Sequence, residues 1–359
     1  MTRQTIIPFG PQHPVLPEPI QLKLVLEDKK VVGAIPSIGY IHRGLEKLAQ
    51  QKDYIQSIFL IERICGICSF LHSMAYCQGI EEMMNVEVPP RANNLRIIWA
   101  EMHRIHSHLL WMGLLADSFG FESLFMEIWR CRETVLDIME ETAGGRVMLG
   151  VCTVGGVRRD IPPELIKKVL ATCDELQAHF DHFIPSILND YSVKQRTVGV
   201  GVLTKEVALE RGVVGPVARA SGVVMDHRVA KYGAYANFDV EPQIEQDGDC
   251  YARSKVRVRE LYQSLDLVRQ SVATLPEGEF NIPVKGNPDG EVISRVEQPR
   301  GEVLYYLRGN GSKFLDRMRV RTPTFANLPG LLAMIPGCEL SDVPVIILSI
   351  DPCISCTER

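Results

Sequence analysis

The sequence predicts a mainly α-helical fold: a large helical bundle with a small peripheral β-hairpin and short strands. Three observations predict it. Apolar residues recur at helical spacing over long stretches, notably Ala92 to Leu115, Glu122 to Ala143, Glu164 to Ile187 and Arg253 to Leu275. Polar–apolar alternation is confined to short segments such as Gln21 to Glu27. No internal repeat, low-complexity tract or linker rich in Pro, Gly and Ser divides the 359 residues, so one domain is expected over 1–359. Within it, 1–40 reads as an N-terminal β-hairpin region, 41–275 as the helical bundle and 276–359 as a mixed segment.

Taken in order, Ile7 to Pro14 is proline-rich and must be extended or looped, since proline restricts itself and its predecessor. Gln21 to Glu27 reads as a half-buried strand, Asp28-Lys29-Lys30 as a turn and Val31 to Ile35 as the return strand. From Ile41 to about Met84 the spacing is helical, interrupted near Cys65 and Cys68, where one helix should end and another begin. The three long stretches that follow are helices, and Gly144-Gly145 stops the second of them as glycine past a helix commonly does. Val198 to Gly222 carries only a short helical piece, and Asp226 to Asp249 looks irregular. After the helix that ends near Leu275, Ile282 to Leu307 reads as short strands and turns. Lys313 to Ile335 is mixed, and Val343 to Ile350 reads as an apolar strand.

Composition narrows the function. The net charge is −5 with no polybasic run, which gives nucleic acid no electrostatic footing. No apolar stretch reaches the length of a membrane span, and the N-terminus leads into Pro8 and Gly10 and not into a signal core. The expected location is the cytoplasm, with docking on a membrane-embedded partner left open. Ten cysteines in such a chain argue for metal chemistry more than for disulfides.

Four of those cysteines form two C-x-x-C pairs at opposite ends: Arg63-Ile64-Cys65-Gly66-Ile67-Cys68, with His72 four residues on, and Asp351-Pro352-Cys353-Ile354-Ser355-Cys356. If the fold joins the ends, they make one four-thiolate site. From spacing alone, structural zinc is the default. A zinc ribbon, however, closes its cysteines within a short polar segment, whereas these pairs sit in apolar sequence with most of the chain between them. Soft thiolates also suit Fe–S clusters and nickel. Arg63 and Asp351 flank the pairs and could orient the ligands.

R-x-C-G-x-C with histidine four residues later, together with D-P-C-x-x-C near the C-terminus, resembles the signature pair of the nickel–iron hydrogenase large subunit. Arg43-Gly44-Leu45-Glu46 resembles that family's R-G-x-E element, Pro299-Arg300-Gly301 its P-R-G element and Pro323-Thr324 its P-S/T-T stretch. Phe9 to Pro14, Ile38 to Gly44 and Gly248 to Arg253 are similar to the quinone-site subunit of respiratory complex I, which lacks the four cysteines. A scaffold like the one and ligands like the other are similar to the energy-converting, Ech-type membrane-bound hydrogenases.

The resemblance implies a nickel–iron centre with CO and cyanide on the iron, Cys65 and Cys353 being terminal on nickel and Cys68 and Cys356 bridging. It implies reversible heterolysis of H2, with Cys353 as a proton acceptor and Glu18 as the carboxylate that carries the proton away. Arg300 would hang over the centre and stabilise anionic ligands, with Asp351 as its candidate partner. His72 would donate towards a bridging sulfur, and Thr324 towards a cyanide nitrogen. Electrons would pass to a small subunit with a 4Fe–4S cluster, then to a ferredoxin-like subunit and ferredoxin. Membrane-embedded subunits would place the chain peripherally on the cytoplasmic face. The alternative is a non-catalytic, complex I-like scaffold holding a structural zinc tetrathiolate.

One departure matters. Glu46 matches a carboxylate that holds Mg²⁺ or iron in many family members, completed by a histidine three residues past the last cysteine. Arg359 stands there, and a guanidinium cannot ligate a cation. The expectation is that Arg359 replaces the ion and pairs with Glu46. His103, His106 and His108 form a metal-like cluster by sequence, but packing or solvent-facing roles explain them better. Gly212 to Gly222 lacks a phosphate-binding pattern.

Overall fold

The computed structural model describes residues 4–14 and 16–359. Strands β1 (Gln4–Phe9), β2 (Gln21–Glu27) and β3 (Lys30–Ser37) form an antiparallel sheet. The expected hairpin is its β2–β3 half; β1 joins it because Phe9 and its neighbours pair across to Leu22 through Leu26. Leu22, Leu24 and Leu26 alternate inward with exposed or half-buried partners, the pattern of a one-sided sheet.

Two short helices, α1 (Leu45–Gln50) and α2 (Tyr54–Glu62), lead into α3 (Ser69–Met83). Next come α4 (Pro90–Ser118) and α5 (Glu122–Ala143), a minimal ribbon of β4 (Cys152–Thr153) and β5 (Gly156–Val157), and α6 (Pro163–Leu188). Both α4 and α6 begin with proline, whose missing N–H costs nothing in a first turn. Between α6 and the last long helix lie three short ones, α7 (Tyr191–Thr197), α8 (Lys205–Glu210) and α9 (Gly215–Arg219), and two 3₁₀ turns. Helix α10 (Cys250–Ala273) then packs with α5 against α4, which is buried on nearly all sides from Asn94 to Ala116.

The segment after α10 is more regular than its sequence suggests. β6 (Asp289–Gln298) and β7 (Gly301–Asn310) form a long hairpin in full register, with Pro299 and Arg300 as its turn, and β8 (Arg317–Arg321) extends the sheet. Helix α11 (Pro323–Met334) follows. Val343 to Ile350, expected as a strand, is instead helix α12 (Val343–Ser349), and α13 (Ile354–Glu358) ends the chain. The reason is burial: Val343 and all of Val345 to Ser349 are buried, so the run carries no period, and Pro344 in the first turn favours a helix.

Two cores result. The larger lies among α2 to α6, α10 and the β6–β8 sheet, and includes all four paired cysteines. The smaller packs the N-terminal sheet against α11 and α12. The sheet thereby sits against the segment that carries the C-terminal cysteines.

Candidate metal centre

The first cysteine pair occupies the break between α2 and α3. Helix α2 ends at Glu62, and Cys68 is the N-cap residue of α3. The second pair occupies the break between α12 and α13. Asp351 adopts a left-handed backbone (φ 54°), which turns the chain so that Cys353 caps α13. Cys65 Sγ lies 3.2 Å from Cys353 Sγ, and Cys68 Sγ lies 3.5 Å from Cys356 Sγ. All four residues are buried. Among the described residues, Cys65, Cys68 and Cys356 are the one group of three or more His, Cys, Asp or Glu whose ligating atoms fall within 4.8 Å of each other, with Cys353 adjoining through Cys65.

The four sulfurs do not share charge equally. Hydrogen bonds from Cys353, Cys356 and Cys68 hold the Cys65 thiol well below its usual range, with further help from Arg300. Burial pushes Cys68 and Cys356 up. Cys353 rises too: its bond to the Cys65 sulfur and burial outweigh the pull of Cys356. Cys65 is therefore the sulfur of the four that most readily gives up its proton. A cation would draw the remaining protons off, as metal binding to thiols does.

The β6–β7 turn delivers Arg300. Its Nε donates to the Asp351 carbonyl and its Nη2 to Asp351 Oδ1, both at 2.7 Å, and Nη1 reaches Ser107 Oγ at 3.3 Å. This buried guanidinium feels Cys353, Cys65 and Cys68, and Asp351 keeps it firmly protonated despite desolvation. The turn can sit so deep because Gly301 meets Gly215 backbone to backbone. A Cβ on Gly215 would lie 2.3 Å from Gly301 Cα and 2.4 Å from the Arg300 carbonyl oxygen.

The other expected residues converge from separate elements. Thr324 Oγ1, at the start of α11, accepts the Cys353 N–H at 3.1 Å, which leaves its own hydroxyl proton to donate elsewhere. His72, on α3, places Nε2 3.4 Å from Cys356 Sγ and Nδ1 2.7 Å from the Tyr305 hydroxyl. Burial lowers the imidazole to about 4 and keeps the Tyr305 phenol protonated. If Tyr305 donates to Nδ1, the remaining imidazole proton sits on Nε2 and faces the sulfur. The Glu18 carboxylate accepts from the Ile354 and Ser355 N–H groups and from the Ser355 hydroxyl, beside Cys353. Glu46 accepts from Arg359 Nε at 2.9 Å, from the Val320 N–H at 2.9 Å and from Arg319 Nη1 at 2.6 Å.

Arg63 is a correction. Its side chain is exposed and donates to the Phe59 carbonyl at 2.8 Å, closing the C-terminus of its own helix and not orienting the sulfurs. The histidine trio is buried, without solvent-facing members. His103 Nε2 meets Ser69 Oγ at 3.1 Å and His108 Nε2 meets Glu260 at 2.9 Å, while His106 stacks obliquely on His103.

Sequence reasoning misses Arg43. Its guanidinium donates to the carbonyls of Arg63 and Ile64 at 2.7 and 2.8 Å and to that of Ser355 at 3.3 Å, so one side chain ties both cysteine loops together. The R-G-x-E element is the available signal. Glu358 completes the closure by accepting the N–H groups of Gly39 at 2.5 Å and Ile41 at 2.6 Å.

The donor set suits a soft, electron-rich metal centre with anionic ligands. Four sulfurs supply the metal side. Around them stand the Arg300 cation and the unspent Thr324 hydroxyl. Buried Arg257, within electrostatic reach of Asp351 and Arg300, keeps two nitrogens without a protein partner among the described residues. A donor left over beside the sulfurs, as on Thr324, is what the anionic ligands of such a centre would satisfy.

Comparison with known proteins agrees with this geometry. Residues 43–116 match the family described as nickel-dependent hydrogenase, and residues 118–285 and 283–359 match the 49 kDa subunit of respiratory-chain NADH dehydrogenase. The carbon monoxide-induced hydrogenase of Rhodospirillum rubrum is 38% identical, over 98% of this chain and 99% of that protein. The membrane-bound hydrogenase subunit alpha of Pyrococcus furiosus is also 38% identical, over 98% of this chain and 87% of its own. An NADH-quinone oxidoreductase subunit of Dehalococcoides mccartyi is 36% identical, over 98% of this chain and 97% of its own. With four buried cysteines gathered on this scaffold, the chain belongs to the family that joins the membrane-bound nickel-dependent hydrogenases to the 49 kDa subunit of NADH dehydrogenase.

Proposed function

We propose that the chain is the catalytic subunit of a reversible nickel–iron hydrogenase. The observation that carries this reading is the meeting of Cys65, Cys68, Cys353 and Cys356 in one buried cluster beside Arg300. Those four residues would hold nickel and an iron carrying CO and cyanide, a centre that supplies heterolytic cleavage of H2 when bound. Arg300 and the Thr324 hydroxyl would stabilise its anionic ligands, and their burial keeps water from competing. Cys353 would hold the proton at Sγ, and Glu18, fixed to the next two residues, would take it from there. The His72 Nε2–H, aimed at Cys356, would lower the electron density on that sulfur.

Electrons need another chain. Cys77 and Cys152 lie against each other, but none of the remaining cysteines joins a second group of three or more ligating side chains among the described residues. The partner would be a small subunit with a 4Fe–4S cluster, passing electrons to a ferredoxin-like subunit and ferredoxin. Among the described residues no helix is long and apolar enough to cross a membrane. Relatives named as subunits of membrane-bound hydrogenase and of formate hydrogenlyase support assembly with membrane subunits, hence a peripheral place on the cytoplasmic face and ion translocation in other chains.

Metal analysis of the purified chain, separated from any Fe–S partner, tests this reading. Nickel and iron in equal amounts, with infrared bands of iron-bound CO and cyanide, are expected. Zinc alone would favour a structural tetrathiolate in a complex I-like scaffold. A Cys65→Ser variant should lose nickel and H2-dependent dye reduction together.

A further inference from the structure

Glu18 belongs to two environments at once. It is bonded to the ligand loop through Ile354 and Ser355, and it lines a cavity of about 390 Å³ bordered by residues 11–14 and 16–19. The cavity's other titratable lining group is His13. We propose that this cavity is the port through which protons pass between Glu18 and solvent, with the His13 imidazole as the relay; the proposal rests on the catalytic reading above.

The connection is longer than the sheet requires. Strands β1 and β2 are adjacent and antiparallel, so a two-residue turn could join them. Instead residues 10–20 connect them, well beyond the two to five residues usual for a hairpin loop. The base of the loop is closed tightly: a Cβ on Gly10 would lie 2.0 Å from the Ile20 carbonyl oxygen. Four prolines stand in the cavity wall, and each lacks an N–H that could bind and hold passing water. Gln12, Pro14 and Pro17 are exposed at its rim, while Glu18 and His13 are half-buried between rim and interior. The His13 ring is stacked on Phe9 at 4.1 Å between centroids, which fixes where it stands. An imidazole can take a proton on one ring nitrogen and release one from the other.

The step is a proton transfer alone. The carboxylic acid of Glu18 gives its proton through cavity water to a His13 nitrogen, and the imidazolium passes it to a buffer base; the reverse sequence serves H2 evolution. No electrons move.

The test is formation of HD from D2 in H2O by the purified, metal-loaded complex. His13→Gln should slow HD formation at least about tenfold, a modest share of what a positioned acid–base group contributes. Added imidazole should restore it, and nickel content and infrared bands should be unchanged. Leu16→Trp, which fills the cavity and leaves both Glu18 and His13 in the chain, should slow exchange in the same way but resist rescue. Wild-type exchange in either variant overturns the proposal, as does a slow His13→Gln that imidazole leaves slow, which marks a merely structural role. A wild-type complex that carries nickel and iron yet forms no HD overturns the catalytic reading instead, whatever His13 does.

Discussion

Arg359 Nε donates to Glu46 Oε1 at 2.9 Å across 313 residues of chain, and Arg319 holds the other oxygen. Oε1 also takes the Val320 N–H, so both carboxylate oxygens are engaged by donors and two of those donors are cationic. Burial opposes ionisation of Glu46, but the bonds from Arg359, Val320 and Arg319 win and depress its pKa. A depressed carboxyl stabilises the fold above its unfolded value and loses that contribution as pH falls through the folded one. Closure of the C-terminus should thus weaken on acidification below the ordinary glutamate range, and Glu46→Gln should flatten that dependence in a thermal-melt pH series. Arg359→Ala should cost about 1 kcal/mol, as expected of a partly exposed pair. Mg²⁺ should not raise the Tm of the wild-type chain; a bound Mg²⁺ coordinated by Glu46 in a crystal structure would contradict the replacement of the ion by arginine.

Glu18 predicts a sharper effect. Its carboxylate takes the Ile354 and Ser355 N–H groups on one oxygen and the Ser355 hydroxyl on the other; a glutamine carbonyl can keep the two N–H bonds while its NH2 donates to the Ser355 hydroxyl. Glu18→Gln should therefore fold and load metal normally while losing proton transfer. H2-dependent dye reduction is expected to fall by about 10² to 10⁴. Unchanged turnover, with unchanged infrared bands, would remove Glu18 from the path.

These two cases show what is legible in sequence. The cysteine pairs, Glu18, Arg300 and Glu46 stand out through motif identity, and α5 is bounded correctly at Glu122–Ala143 because one apolar face repeats along it. Helix α12 reads as a strand because burial on every side erases the difference between a period of 2 and one of 3.6. The β6–β7 hairpin looks fragmentary because register across ten residues is a long-range property. Arg43 escapes notice as a tie between the cysteine loops because its partners are carbonyls, which every residue type carries. Arg63 looks more important than it is because adjacency in sequence says nothing about which side of a helix end a side chain takes.

The contact of Gly215 with Gly301 makes the position of Arg300 depend on α9. At φ +67°, Gly215 occupies a left-handed conformation that disfavours a side chain, and there is no room for one. Gly215→Ala should destabilise by about 1–3 kcal/mol as the turn is pushed outward. Because that turn carries the guanidinium, the cyanide bands should shift and activity should fall beyond the loss of folded protein. Gly212→Ala is the control: its Cβ meets nothing within 4 Å, so backbone strain alone acts there, and the bands should not move.

Metal removal should loosen the C-terminus and spare the helical core. Cys65 and Cys353 are 288 residues apart, so a metal bridging them closes nearly the whole chain into a loop. Its binding energy is then folding energy for the segment it anchors. That segment is short: α13 spans Ile354–Glu358, with Thr357 and Arg359 N–H groups bonded to Cys353 and Ser355 carbonyls. Without metal it keeps the Arg43 tie to Ser355 and the Glu358 bonds to Gly39 and Ile41. Hydrogen exchange over 350–359 should accordingly rise in the metal-free chain, and rise further in metal-free Arg43→Ala. The buried amides of α4 and α10 should exchange as before. Equal exchange at 350–359 with and without metal would mean that the side-chain ties alone close the site, and that the metal adds nothing to the fold.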